Sequence, residues 1–132
     1  MRNRGFSLIE LLIAIVIVGV LAAIALPAYT SQLRKSARAE AQSFMTTAAG
    51  NQQQYLLNRR AYASSLDPSS SGYLGVAPPA DLNAKYTFTV VAAAGLPPTF
   101  TLTATAIGAQ ANDACPTMFI DSAGNRNPPA CW

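Results

Sequence analysis

Residues 5–28 run GFSLIELLIAIVIVGVLAAIALPA, and one residue in that stretch is out of keeping with the rest. Glu10 is a carboxylate near the front of the otherwise apolar run Phe6 to Ala28. At about 1.5 Å per residue that run makes roughly 34 Å of helix, enough to span a bilayer. An ionisable group inside such a helix is costly, marks a function and needs a partner. Upstream, Met1-Arg2-Asn3-Arg4-Gly5 is short and basic, so Arg2 and Arg4 stay on the cytoplasmic side. If the chain is cut after Gly5, Phe6 becomes an amino terminus, a cation one helical turn from Glu10.

Two other readings compete. An ordinary secretory signal would place a small-residue cleavage site at Ala23-Ile24-Ala25, but its apolar region should run about 7 to 15 residues. The uncharged stretch from Leu11 to Leu26 is longer than that, and Glu10 is misplaced at its front. A plain single-span anchor has the right length and leaves Glu10 unexplained. The string Gly5-Phe6-Ser7-Leu8-Ile9-Glu10 closely resembles the class III signal of type IV prepilins and pseudopilins. That resemblance implies a dedicated prepilin peptidase/methyltransferase that cuts between Gly5 and Phe6 and N-methylates Phe6, removing 1–5 as a leader. It also assigns Phe6 and Glu10 to assembly with other pilin subunits, served by inner-membrane assembly machinery.

Composition leaves room for one modest domain behind this segment. The chain has 132 residues, 51% apolar and only 11% charged, and much of the apolar excess lies in 6–28. Nine basic residues less Arg2 and Arg4 leave seven against six acids. So even a balance argues against a mature protein dominated by attraction to phosphate or to a membrane surface.

The helical pattern continues past the apolar run as one long helix, 6–58, with 6–28 as membrane span and filament core and 29–58 amphipathic. Gly19 and Pro27 are its weak points, proline removing a backbone donor. A bend that merely fits the helix to its neighbours explains them. The pilin resemblance implies more, that the segment from Gly19 to Pro27 unwinds in the filament. From Ser31 onward, Leu33, Ala37, Ala41, Phe44, Ala48 and Tyr55 recur at helical spacing and predict the face that carries a sheet. Arg34, Lys35, Arg38, Glu40, Gln42, Gln52 and Gln53 fall on other faces and read as a solvated surface, with Arg34, Arg38 and Glu40 as candidate ion pairs.

Residues 59–84 form a connection rich in Pro, Gly and Ser, with Tyr73, Leu74 and Val76 able to pin its middle to the core. The resemblance implies that it packs against adjacent subunits. Strand patterns follow in 85–132. Tyr86, Phe88 and Val90 alternate with threonines, as do Phe100, Leu102, Ala104 and Ala106, with Ala92 to Pro98 as the turn. Thr117 to Asp121 predicts a third strand, and Ser122-Ala123-Gly124-Asn125 a further turn. The expected fold is α+β, the type IV pilin fold: a long N-terminal helix packed on an antiparallel sheet of three to four strands, with a C-terminal disulfide loop.

Cys115 and Cys131 are the only cysteines. They are too few for a tetrahedral zinc site, histidine is absent, and no metal or cofactor is expected. Two free buried thiols are one reading, but in an exported domain an even pair is most simply a bridge. It resembles the disulfide-bounded C-terminal region of type IV pilins, which major pseudopilins of secretion systems generally lack. Asn58-Arg59-Arg60-Ala61-Tyr62 and the ending Pro129-Ala130-Cys131-Trp132 resemble the small PilE-type minor pilins of proteobacteria.

No catalytic constellation is present, and the chain is not expected to be an enzyme. Its serines cluster without a base, and Asp67, Asp81, Asp113 and Asp121 are scattered, mostly beside turns. They lack the dense acidic loop that calcium sites favour. Arg59, Arg60 and Lys85, with Tyr62, are a candidate basic and aromatic patch for DNA; adjacent arginines at a helix end also suit the helix dipole. The expected role is a structural, minor subunit of a type IV pilus. It would be held as a single-pass protein in the inner membrane and then built into an extracellular filament that supports adhesion, twitching motility or DNA uptake. A type II secretion pseudopilin and a membrane-anchored surface or DNA-binding module are the alternatives.

Overall fold

A computed structural model describes residues 6–132. Gly5 and the rest of the proposed leader lie outside the described residues. The chain divides into two compact units, the first ending at Leu33 and the second spanning Arg34–Trp132. Helix α1, Leu8–Arg59, contributes to both.

Among the described residues the first unit is a helix whose large apolar side chains are all exposed. Ile13, Ile15, Val16, Ile17, Val18 and Val20 are β-branched and intrinsically mediocre helix formers. All are exposed; in an apolar surrounding, helix is the conformation that would satisfy the backbone polar groups of such a segment. The helix opens on Ser7, whose carbonyl accepts the amides of Glu10 and Leu11 at 3.0 and 3.2 Å. Pro27 sits inside the helix, and the Thr30 hydroxyl donates to the Pro27 carbonyl at 3.0 Å.

In the second unit α1 changes character. Ala, Gln, Arg, Glu and Leu favour helix on their own, and one face is buried: Ala37, Ala41, Phe44, Met45, Ala48 and Gln52. Three alanines in that row let the sheet approach closely. Leu33, expected on this face, is 52% exposed, because it belongs to the first unit and lies beyond the core. Tyr55 is half-buried against the core. Arg60 stops the helix in a left-handed conformation (φ 56°) and donates its amide to the Leu56 carbonyl at 2.7 Å. Glycine usually takes that position; a side chain there costs roughly 1 kcal/mol.

The sheet is a four-stranded antiparallel meander: β1 Tyr86–Ala93, β2 Thr99–Ala106, β3 Thr117–Asp121 and the short β4 Arg126–Asn127, in that spatial order. Tyr86 pairs with Ala106, Leu102 with Ile120 and Phe119 with Asn127. The alternation expected from sequence holds: Tyr86, Phe100, Leu102, Ala104, Ala106, Met118 and Ile120 are buried, with Phe88 and Val90 packed against them. Phe44 meets Phe88 edge to face at 4.9 Å, and Tyr62 meets Phe100 likewise at 4.8 Å. Such aromatic pairs contribute about 0.5–1.5 kcal/mol beyond their area. Gly124 (φ 82°) supplies the left-handed turn between β3 and β4.

The connection 59–84 is pinned by Leu74 and Val76 as its apolar residues suggest, and it adds a helical turn that the sequence pattern did not show. Leu74 is buried, Val76 packs on the core, Ser65 bridges to Tyr73, and a single helical turn, α2 Ala80–Asn83, drives Leu82 into the interior.

Candidate assembly surface and polar anchors

Phe6 is 80% exposed, and Leu8, Ile9, Leu11, Leu12 and every large apolar residue onward to Leu26 are exposed as well. Glu10 is exposed within this surface. An apolar surface this continuous marks an interaction site, here a helix long and apolar enough to cross a membrane. A Cβ added at Gly19 would meet nothing within 4 Å, so packing inside this chain does not require glycine there.

At the other extreme of the sequence, Cys115 and Cys131 form a disulfide with Cα atoms 5.7 Å apart. Two contacts from α1 hold this region. The Gln42 amide donates to the Cys131 carbonyl, and Arg38 pairs with Asp113 at 3.3 Å, both side chains largely buried. The sequence placed Arg38 with Glu40; the partner is instead brought in by a 3₁₀ turn at Gly108–Asn112. Arg34 likewise turns to the Asn112 carbonyl at 3.4 Å. Gln110, on that turn, is buried and donates to the Arg34 carbonyl at 3.0 Å and to the Tyr86 hydroxyl at 2.9 Å. Burial pushes the Tyr86 phenol above its ordinary value, a rise that the Gln110 hydrogen bond partly offsets.

A second buried amide fastens the start of the connection. Gln52 donates to the Ala63 carbonyl at 2.9 Å and accepts the Ala63 amide at 2.8 Å. The sequence pattern put Gln52 on the solvated face and the structure buries it instead, while Gln110 did not stand out, because a glutamine in a helical or turn pattern carries no sign of burial. Gln52 lies at helical spacing from Ala41, Met45 and Ala48, and that register was the available signal.

The three basic residues proposed for DNA do not come together. Arg59 and Arg60 are exposed at the end of α1, with Arg59 over the Tyr55 ring at 5.8 Å. That end lies by the far end of β1, since Ala61 and Tyr62 share a shallow cleft with Ala92, Ala93 and Ala94. Lys85 precedes β1, so the eight residues of the strand, about 25 Å of chain, separate it from that end. Arg126 stacks over Trp132 at 5.1 Å, a second basic and aromatic pairing that the sequence reading missed.

Two of the acids, Asp67 and Asp121, serve local structure. Asp67 accepts the Ser69 amide and hydroxyl, and Asp121 accepts the Asn125 side chain with the amides of Ala123 and Asn125; these bonds hold both carboxyls below the usual range. Among the described residues no three metal-ligating side chains cluster.

A helix with an unpartnered apolar half, an amphipathic half under a four-stranded meander, and a terminal disulfide together describe a pilin. The solved structure of a type IV pilin from Shewanella oneidensis shares this fold, with a TM-score of 0.57 over 75% of this chain and 97% of that one at 24% identity. Residues 27–119 match the family model described as type IV minor pilin ComP, DNA uptake sequence receptor, and residues 1–26 match the prokaryotic N-terminal methylation motif. The chain belongs to this family of type IV pilins. It is 41% identical over 88 residues, 64% of this chain, to the type IV major pilin protein PilE1 of Neisseria gonorrhoeae. It is 37% identical over 92 residues, 70% of this chain, to the fimbrial protein EcpC of Eikenella corrodens. The matches cover 48% and 56% of those proteins, so the chain spans about half the length of the curated relatives it matches.

Proposed function

We propose that the chain is a structural subunit of a type IV pilus, processed between Gly5 and Phe6, held in the inner membrane by 6–28 and then drawn into an extracellular filament with other pilins. The observation that carries this reading is the exposed apolar surface from Phe6 to Leu26 with Glu10 set into it. In a bilayer, lipid tails satisfy such a surface as well as another helix does, so apolar burial alone gives neighbouring subunits little preference for one register. Charge supplies it. A buried carboxylate without a partner is costly, and the methylated Phe6 ammonium of an incoming subunit can close the pair with Glu10 of one already placed. Gly19 and Pro27 bracket the segment whose helix would give way as subunits extend along the filament. Glu10→Ala should leave a membrane-inserted, disulfide-bonded subunit that is absent from sheared filaments; undiminished incorporation would refute the proposal.

The description of the matching family favours a second role for the same subunit, a minor pilin that contacts DNA. Arg59 and Arg60 are its contacts, exposed and without an acidic partner among the described residues; Lys85 lies too far away to join them. Replacing both arginines with alanine should weaken binding of duplex DNA by the full chain in detergent and flatten its salt dependence. Unchanged affinity and salt slope would remove this role.

A further inference from the structure

Arg34, Arg38 and Gln42 stand four residues apart along α1, so their side chains lie one above another on one face, about 6 Å per step. All three reach the C-terminal part of the chain. Arg34 donates to the Asn112 carbonyl, Arg38 pairs with Asp113, and the Gln42 amide donates to the Cys131 carbonyl. The Asp113 oxygen that meets Arg38, Oδ2, also accepts the Cys115 amide at 3.4 Å. One carboxylate oxygen thus links Arg38 to the backbone of the first cysteine, while Gln42, one turn further along, holds the backbone of the second. The two cysteine Cα atoms are 5.7 Å apart, close to the step of about 6 Å between Arg38 and Gln42 along the helix axis.

The end of the chain has few other ties. Among the described residues the remaining hydrogen bonds of 128–132 are local: the Cys131 amide donates to the Pro128 carbonyl, the Trp132 amide to the Pro129 carbonyl and the Trp132 indole to the Asn127 carbonyl. β4, which leads into this segment, has only two residues. With the disulfide open, Gln42 supplies the hydrogen bond that fastens this segment to the rest of the domain. We propose that Arg38 and Gln42 are positioning residues for closure of the disulfide. Once α1 has packed on the sheet, they hold Cys115 and Cys131 one helical turn apart, so the bridge closes within a folded domain. The reaction is thiol–disulfide exchange with a small disulfide such as glutathione disulfide. One cysteine thiolate attacks it and expels a glutathione thiolate; the other cysteine then attacks the mixed disulfide and expels the second. Two cysteine thiols are oxidised, one small disulfide is reduced to two thiols, and the cysteine protons pass through solvent to the departing thiolates. Positioning acts on the second, intramolecular attack. By reciprocity, whatever the two contacts add to closure, the closed bridge adds to the contacts.

The test equilibrates the full chain in detergent with glutathione buffers of set ratio, traps free thiols with a maleimide and counts them by mass, which gives the closure constant. Gln42→Ala and Arg38→Ala should each lower that constant by about two- to tenfold, the net worth of one hydrogen bond. Val90→Ala trims a side chain packed on the core in β1, so it lowers fold stability without touching a residue that meets either cysteine, and it should leave the constant unchanged. Cooperative urea unfolding of each reduced chain, followed by circular dichroism, establishes that closure is measured in folded protein. A constant within about twofold of wild type in either alanine variant, an equal fall in Val90→Ala, or a reduced wild-type domain that does not fold overturns the proposal.

Discussion

The buried amide of Gln52 offers the sharpest check on how this domain is held together. Its side chain is 1% exposed and answers both backbone groups of Ala63, itself fully buried. Gln52→Ala orphans a donor and an acceptor that water reaches poorly, at about 1–3 kcal/mol each, so about 2–6 kcal/mol in all. Gln52→Glu is more diagnostic. Its ionised carboxylate still accepts the Ala63 amide but opposes the Ala63 carbonyl, whereas its protonated form can donate there as the amide does. Burial and that carbonyl both favour the neutral acid and raise its folded pKa above the unfolded value of about 4.3. Stability from the raised group is fully present below the unfolded value and is lost as pH rises through the folded one. The variant should therefore be destabilised at pH 7 and recover towards wild type as pH falls to about 4. The assay is urea unfolding of the full chain in detergent, followed by the fluorescence of Trp132, the single tryptophan, and read as the difference from wild type at each pH. A Gln52→Ala loss under about 1 kcal/mol, or a Gln52→Glu deficit that does not shrink on acidification, would refute the reasoning.

Replacing Cys115 and Cys131 together with serine frees a loop whose ends are 16 residues apart, which should lower unfolding stability by about 3 kcal/mol, read by the same fluorescence. Tyr86 sets an alkaline limit. Burial raises its folded pKa above 10.0, so its contribution is complete below that value and disappears as pH rises through the folded one. Tyr86→Phe should cost about 1 kcal/mol at neutral pH, through the lost Gln110 hydrogen bond, and should flatten the alkaline decline seen in pH-dependent unfolding.

Much of the architecture was legible because it rests on periodicity. The helical face Ala37, Ala41, Phe44 and Ala48, and the alternation in β1, β2 and β3, are patterns in which apolar spacing alone identifies the buried side. What escaped depends on tertiary partners. β4 has two residues and no alternation to read. The 3₁₀ turn at Gly108–Asn112 has meaning only through Gln110 reaching Arg34 and Tyr86, and Asp113 became an ion-pair partner because that turn carries it to Arg38. At the candidate site the apolar surface and Glu10 stood out because a charge in a membrane-length run breaks a pattern. Lys85 does not join Arg59 and Arg60, because it lies at the other end of β1 and composition carries no sign of that separation.

α1 changes environment between Leu33 and Arg34 without changing conformation. Before that point its large apolar side chains are exposed among the described residues, so substitutions there should leave the folded domain's melting behaviour untouched while altering who the subunit joins. After it, substitutions on the buried face should do the reverse. A mutational scan along this single helix would then separate into two unrelated tolerance profiles, one set by neighbours and one by the sheet, and the crossover would mark where selection for assembly hands over to selection for folding.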